Sequence, residues 1–201
     1  MLQPLNLFNP RNQTSVEQLT EQSEAARLKL YCKLGILQEF ALTQSTGLTT
    51  ALKWPCGAAK FRVIQRHNGN ILIVSDGLSD PFDDLQSEAN VNGFGLEFYI
   101  ETPAGEIGPS AAEIKSSWQF QLLFTVCSLA AGHGGIRHII DDMQLLSTEA
   151  EGVAESIPAE HRQMHVNGSG RVGALLGLND VDPASFGCRL SFLWWIEFFF
   201  F

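Results

Sequence analysis

Two short β-branched runs, residues 61–65 and 71–75, stand on either side of His67-Asn68-Gly69-Asn70. Asn-Gly between such runs is the strongest short hairpin signal a sequence carries, because both residues accept the positive φ that a tight turn between twisted strands demands. The middle of the chain is thereby committed to an antiparallel pair. A third strand follows in residues 94–101, where Phe94, Leu96, Phe98 and Ile100 alternate with Gly95, Glu97, Tyr99 and Glu101. Alternation of this kind predicts one apolar face and one that is half-buried at most.

Helices are expected around this centre. From residue 14 to about residue 35, Val16, Leu19, Ala26, Leu30 and Leu34 recur at helical spacing, with Thr14 as N-cap and Glu17 completing a capping box. Residues 111–131, introduced by Pro109-Ser110, read as one six-turn helix. Its apolar arc is too broad for a surface helix, and Gly132-His133-Gly134-Gly135 ends it. Residues 136–143 are ambiguous, 147–158 read as a loop and 172–178 as a further strand. The order predicts an α+β fold, a mixed β-sheet covered by helices.

Composition narrows the function classes without naming one. At roughly 150 residues per domain, 201 residues make one compact domain. Thirteen Lys and Arg against 22 Asp and Glu leave a net charge of −9, the wrong sign for steering onto phosphate backbones, so no nucleic acid partner is expected. Charged residues are 17% and hydrophobic residues 45%, which rules out a disordered chain and predicts a rather apolar surface. The longest stretch free of Asp, Glu, Lys and Arg, residues 116–136, holds Gln119, Gln121, Ser128, His133 and three glycines, so no membrane span is expected. Residues 1–14 lack the basic start and apolar run of a signal peptide. Cys32, Cys56, Cys127 and Cys188 form no CxxC pair and read as reduced thiols, which makes the expected compartment cytoplasmic. The end of the chain, LSFLWWIEFFFF from residue 190, is an aromatic tail too short to cross a bilayer.

Two segments carry a resemblance. Ile71-Leu72-Ile73-Val74-Ser75-Asp76-Gly77-Leu78-Ser79-Asp80, followed by Gly93-Phe94-Gly95-Leu96-Glu97-Phe98, resembles the signature of the suppressor of fused family, in which a strand runs into S-x-G-L-S-D and a G-F-G-x-E segment opens the next strand. The likeness extends over residues 30–182, with the helix at 111–131 and the glycine-linked run 171–180 in the family's order. It divides the chain into an N-terminal segment and helix start at residues 1–29, a suppressor-of-fused-like domain at 30–185 and the aromatic tail at 186–201.

The resemblance implies a protein-binding module rather than an enzyme, without cofactor or metal. Animal members hold a transcription-factor peptide, whereas the single-domain bacterial type, which this chain resembles in length, includes immunity proteins that neutralise toxins. An aromatic two residues before the first motif serine and an acid four after the S-D pair contribute to the peptide contact in animal members; Ile73 and Asp84 stand at these positions. Asp76, Asp80, Asp83, Asp84 and Glu88 are expected to project from one rim as a negative patch for a basic protein partner. Gly77, Gly93 and Gly95 supply positive φ or close backbone approach, Ser75 and Ser79 cap amides in the turn, and Glu97 completes the structural motif.

Sharper motifs read more simply. Gly168-Ser169-Gly170-Arg171-Val172-Gly173 matches a dinucleotide fingerprint, but too short a segment follows it for the required helix. His161 and His165 are four apart without the glutamate of H-E-x-x-H, and the acids of residues 76–88 do not follow a calcium-loop pattern. The alternative to a binding module is a hydrolytic enzyme using Ser75 or Ser79 with His133 and Asp141.

Overall fold

The structure, a computed structural model, describes residues 10–44, 54–55, 57–81, 93–176 and 189–193. The expected hairpin forms the middle of a five-stranded sheet. Strands β2 (Ala59–Gln65) and β3 (Ile71–Ser75) pair antiparallel with Val63 opposite Ile73 and Ile64 opposite Leu72. Between them Arg66 N–H donates to the Asn70 carbonyl, and the Asn68 side chain accepts from Asn70 N–H. β1 (Ile36–Gln44) adds on one side, while β4 (Glu97–Thr102) and β7 (Arg189–Leu193) add on the other, giving the order β1-β2-β3-β4-β7. Every described ladder is antiparallel, so the parallel component of the expected mixed sheet is absent among these strands. β7 comes from the expected tail, which therefore contributes a strand to the main sheet.

Alternation along the strands sends side chains to two separate cores. Phe61, Val63, Ile73, Phe98 and Ile100 face α2 (Ala111–Ser116) and α3 (Trp118–Gly132), where they meet Ile114, Phe120, Leu123, Val126 and Cys127. Phe61 and Phe120 meet edge to face at 5.1 Å between centroids. Ile64, Leu72 and Val74 face the other way and pack with Tyr31 of α1 (Pro10–Leu34), with Leu28, Leu34, Leu37 and Tyr99 at their margin. The architecture is α+β, a sheet sandwiched between α1 and the α2–α3 pair.

Local chemistry accounts for the departures from expectation. The helix expected over 111–131 is two helices, because Ser117 takes an extended conformation at ψ 147° and its hydroxyl accepts from Phe120 N–H, ending α2 and capping α3. α1 begins at Pro10, so Thr14 lies inside the helix rather than at its cap. The anticipated loop at 147–158 contains β5 (Leu146–Ala150), which pairs with β6 (Val172–Leu176) in a separate two-stranded sheet, and a short 3-10 turn at Ala154–Ser156. α4 (Arg137–Met143) settles the ambiguous segment, and α5 (Ala159–His165) precedes β6. No helix among the described residues is long and apolar enough to cross a membrane.

Candidate functional site

β3 and β4 are sheet neighbours running in opposite directions, so the end of β3 lies beside the start of β4 and the two signature segments meet in one corner. The glycines allow the meeting. Gly77 sits at φ 118° and Gly93 at φ 53°. A Cβ on Gly93 would stand 2.6 Å from the Leu78 carbonyl oxygen and closer still to that of Asp80, while one on Gly77 would press on Asp80 Oδ2 at 2.9 Å. The close approach is fixed by Phe94 N–H donating to the Leu78 carbonyl at 2.9 Å.

Glu97 is the acceptor around which the corner is built. Its Oε1 receives the Gly77 and Ser79 amides, each at 3.0 Å, and the Ser79 hydroxyl at 2.7 Å. Its Oε2 receives the Ser75 hydroxyl at 2.6 Å, and Ser75 Oγ in turn accepts from Phe98 N–H at 2.8 Å. Four donors converging on one carboxylate tie the turn after β3 to the first residue of β4. Burial pushes the Glu97 carboxyl above its usual range, against Arg27, Ser75 and Ser79, which pull it down.

The cation that completes the corner comes from α1. Ser23, Arg27 and Tyr31 recur every four residues and so share one helix face. Arg27 is 1% exposed; its Nε donates to Asp76 Oδ1 at 2.9 Å, and its Nη1 donates to Asp80 Oδ1 at 2.5 Å and to Ser23 Oγ at 2.7 Å. Glu97 Oε1 lies 3.7 Å from Arg27 Nε. The Tyr31 hydroxyl donates to the Ser75 carbonyl at 2.9 Å. The other Asp76 oxygen takes Arg62 Nε at 2.8 Å and Lys60 Nζ at 3.1 Å, and Glu24 of α1 reaches the same two cations. Burial would lower the affinity of Arg27 for its proton, but Glu97, Asp80 and Asp76 outweigh it and hold the guanidinium above its ordinary range. Burial would likewise raise Asp76, yet Arg27, Arg62 and Lys60 keep its carboxyl below the usual value.

This geometry corrects the expected rim. Asp76 is 2% exposed and Asp80 4%, so neither projects to solvent; both are consumed by Arg27. Ile73 is 0% exposed and belongs to the core beneath α3, because its place in the alternation turns it inward. Glu97, expected on a half-buried face, is fully enclosed. Asp83, Asp84 and Glu88 lie outside the described residues. Ser75, Gly77, Ser79, Gly93 and Glu97 all stand in the corner, but the serines do not cap turn amides as expected: Ser75 Oγ accepts the Phe98 amide of β4, and the Ser79 hydroxyl donates to Glu97; Gly95 takes φ 70°. Arg27, Tyr31 and Ser23 were not anticipated. The expected boundary at residues 29–30 falls inside α1, and the side chain that closes the corner lies on its N-terminal side. The available signal was arithmetic: two acids in a glycine-rich turn and a third on the strand beside it require a nearby cation if they are buried.

The serines of the alternative triad donate to Glu97, and Asp141 is paired with Arg137 on α4. No group of three or more potential metal ligands occurs among the described residues. His165 stacks on Trp118 at 5.6 Å. The Asn167 side chain accepts from Ser169 and Arg171 amides, so the glycine-rich run at 168–173 closes the turn into β6. No family model matches this sequence, and comparison with curated proteins and with solved structures finds no significant match.

Proposed function

We propose that this chain is a protein-binding module of the suppressor of fused type, and that it acts as an immunity protein by neutralising a basic partner toxin. The observation that carries the reading is the braced corner: the signature serines, glycines and carboxylate spend their polar groups on one another and on Arg27. Side chains committed in this way hold a frame. That frame clamps the two strand ends flanking residues 82–92, the stretch in which Asp83, Asp84 and Glu88 stand. A chain of net charge −9 attracts a cationic partner at long range and speeds its encounter.

The test is capture from the native cell on the tagged protein, followed by calorimetric titration of the captured partner. The expected result is a basic protein whose association slows and weakens as salt rises from about 50 to 500 mM, across the range where the screening length shortens from about 14 Å to about 4 Å. Capture of an acidic partner, or an affinity indifferent to salt, would refute the electrostatic reading. Reversing Asp83 and Asp84 to Lys is expected to slow association while leaving the melting temperature within a few degrees of the parent.

A further inference from the structure

The two faces of the main sheet are covered very differently. On one, α2 and α3 share a continuous apolar core with β1 to β4 of the main sheet and with β5 and β6. On the other, the fully buried apolar residues among those described are Tyr31, Ile64, Leu72 and Val74, and the N-terminal half of the described α1 contact is polar: Ser23, Glu24 and Arg27 against Ser79, Lys60, Arg62, Asp76, Asp80 and Glu97. No described side chain of α1 belongs to the larger core. Lifting it would uncover three apolar side chains and a charged strip while leaving that core whole.

Buried ion clusters are poor sources of stability, since removing charges from water costs nearly what their attraction returns; their best-attested use is to specify which element docks, and in what register. Among the described residues the seat without α1 holds three carboxylates, Asp76, Asp80 and Glu97, and two cations, Lys60 and Arg62. α1 brings Glu24 to those cations and Arg27 to those carboxylates. The cation it brings is planar and forked, with Nε and Nη1 of Arg27 on different aspartates. One helical turn further on, the seat ends in a buried socket that Tyr31 fills, its hydroxyl on the Ser75 carbonyl and its ring packed with Ile64, Leu72 and Val74.

We propose that this face of the sheet is a helix-binding seat and that α1 is its in-chain occupant, displaced by a partner helix presenting an arginine and, four residues later, an aromatic. The proposal rests on the protein-binding reading and adds to it the acceptor surface and the partner's chemistry. The acids of the signature then recognise a cation after all, and Arg27 holds their place until the partner arrives. The apparent affinity for a partner segment is its intrinsic affinity multiplied by the fraction of molecules in which α1 is lifted, so any change that loosens α1 raises it.

Native-state hydrogen exchange on the full-length protein decides whether α1 leaves alone. Amides of residues 20–34 are expected to exchange at least about tenfold faster than those of β2, β3 and β4, through an opening that leaves the sheet intact. Equal protection of α1 and the sheet would overturn the proposal, while leaving partner capture untouched. The second arm titrates the full-length protein with a fluorescent peptide of residues 16–35. Saturable binding is expected, weakened about tenfold or more when the peptide carries Arg27→Ala or Tyr31→Ala. Binding that ignores both substitutions would overturn it, as would concentration-dependent dimers exchanging α1, which would make a second copy the occupant. In the full-length Arg27→Met variant the peptide is expected to bind about tenfold more tightly; should that variant fail to fold, the wild-type exchange pattern decides the matter alone.

Discussion

Arg27 is the residue on which the corner closes. Replacing it with Ala leaves Asp76, Asp80 and Glu97 buried against fewer cations, and the expected loss is about 3–5 kcal/mol in urea denaturation, the usual penalty for orphaning a buried ion cluster. Lys at this position restores only part, since a single ammonium cannot reach both aspartates in the forked arrangement. The carboxylates give opposite signs with pH. Asp76 is held below 3.8 in the folded protein, so its stabilisation is complete above that value and disappears as pH falls through the lower folded value. Glu97 is raised above 4.5, so from 4.5 up to its folded value the folded state carries the extra proton and stability declines as pH rises. Urea midpoints followed across this range should show Asp76→Asn flattening the acid limb and Glu97→Gln removing the decline above 4.5. A variant pair that leaves both limbs unchanged would place the titration elsewhere.

Among the elements, helix boundaries turn on single hydroxyls. Ser117 separates α2 from α3 by accepting from Phe120 N–H, and Ser117→Ala is expected to cost about 1 kcal/mol in a thermal melt through the lost cap. The spacing of apolar residues cannot reveal such a break, because it continues across Ser117 unchanged. Gly93→Ala combines positive φ with backbone oxygens already in the way, so a destabilisation of at least about 1–3 kcal/mol is expected by the same measurement. α1 shows why its apolar stripe was misleading. Val16, Leu19, Ala26, Leu30 and Leu34 are only partly buried, while the fully buried face runs through Ser23, Arg27 and Tyr31. A periodicity search weights apolar residues and passes over a face whose partners are carboxylates.

At the scale of the molecule, two cores of unequal size flank one sheet, and thiol chemistry reports on them. Cys32 on α1 is exposed, while Cys127 is buried beneath the sheet, its thiol pushed up by burial and by the nearby Glu97. Iodoacetamide is expected to label Cys32 in the native protein and Cys127 only after unfolding. Rapid native labelling of Cys127 would show that the larger core opens. The net charge of −9 acts over the whole surface, and its consequence is the salt dependence of partner association rather than any feature of the fold.

The hairpin at residues 59–75, the apolar face of β4 and the general place of the helices were legible in the chain, since each rests on local periodicity or on turn residues whose φ preferences act over a few positions. The glycines of the signature were legible for the same reason. That Asp76 and Asp80 are buried, that Glu97 gathers four donors and that Arg27 satisfies all three carboxylates was decided by the tertiary structure. Charge pairing has no sequence period: whether an acid meets water or an arginine depends on which helix is laid across it, and nothing between Arg27 and Asp76 in the chain encodes that meeting.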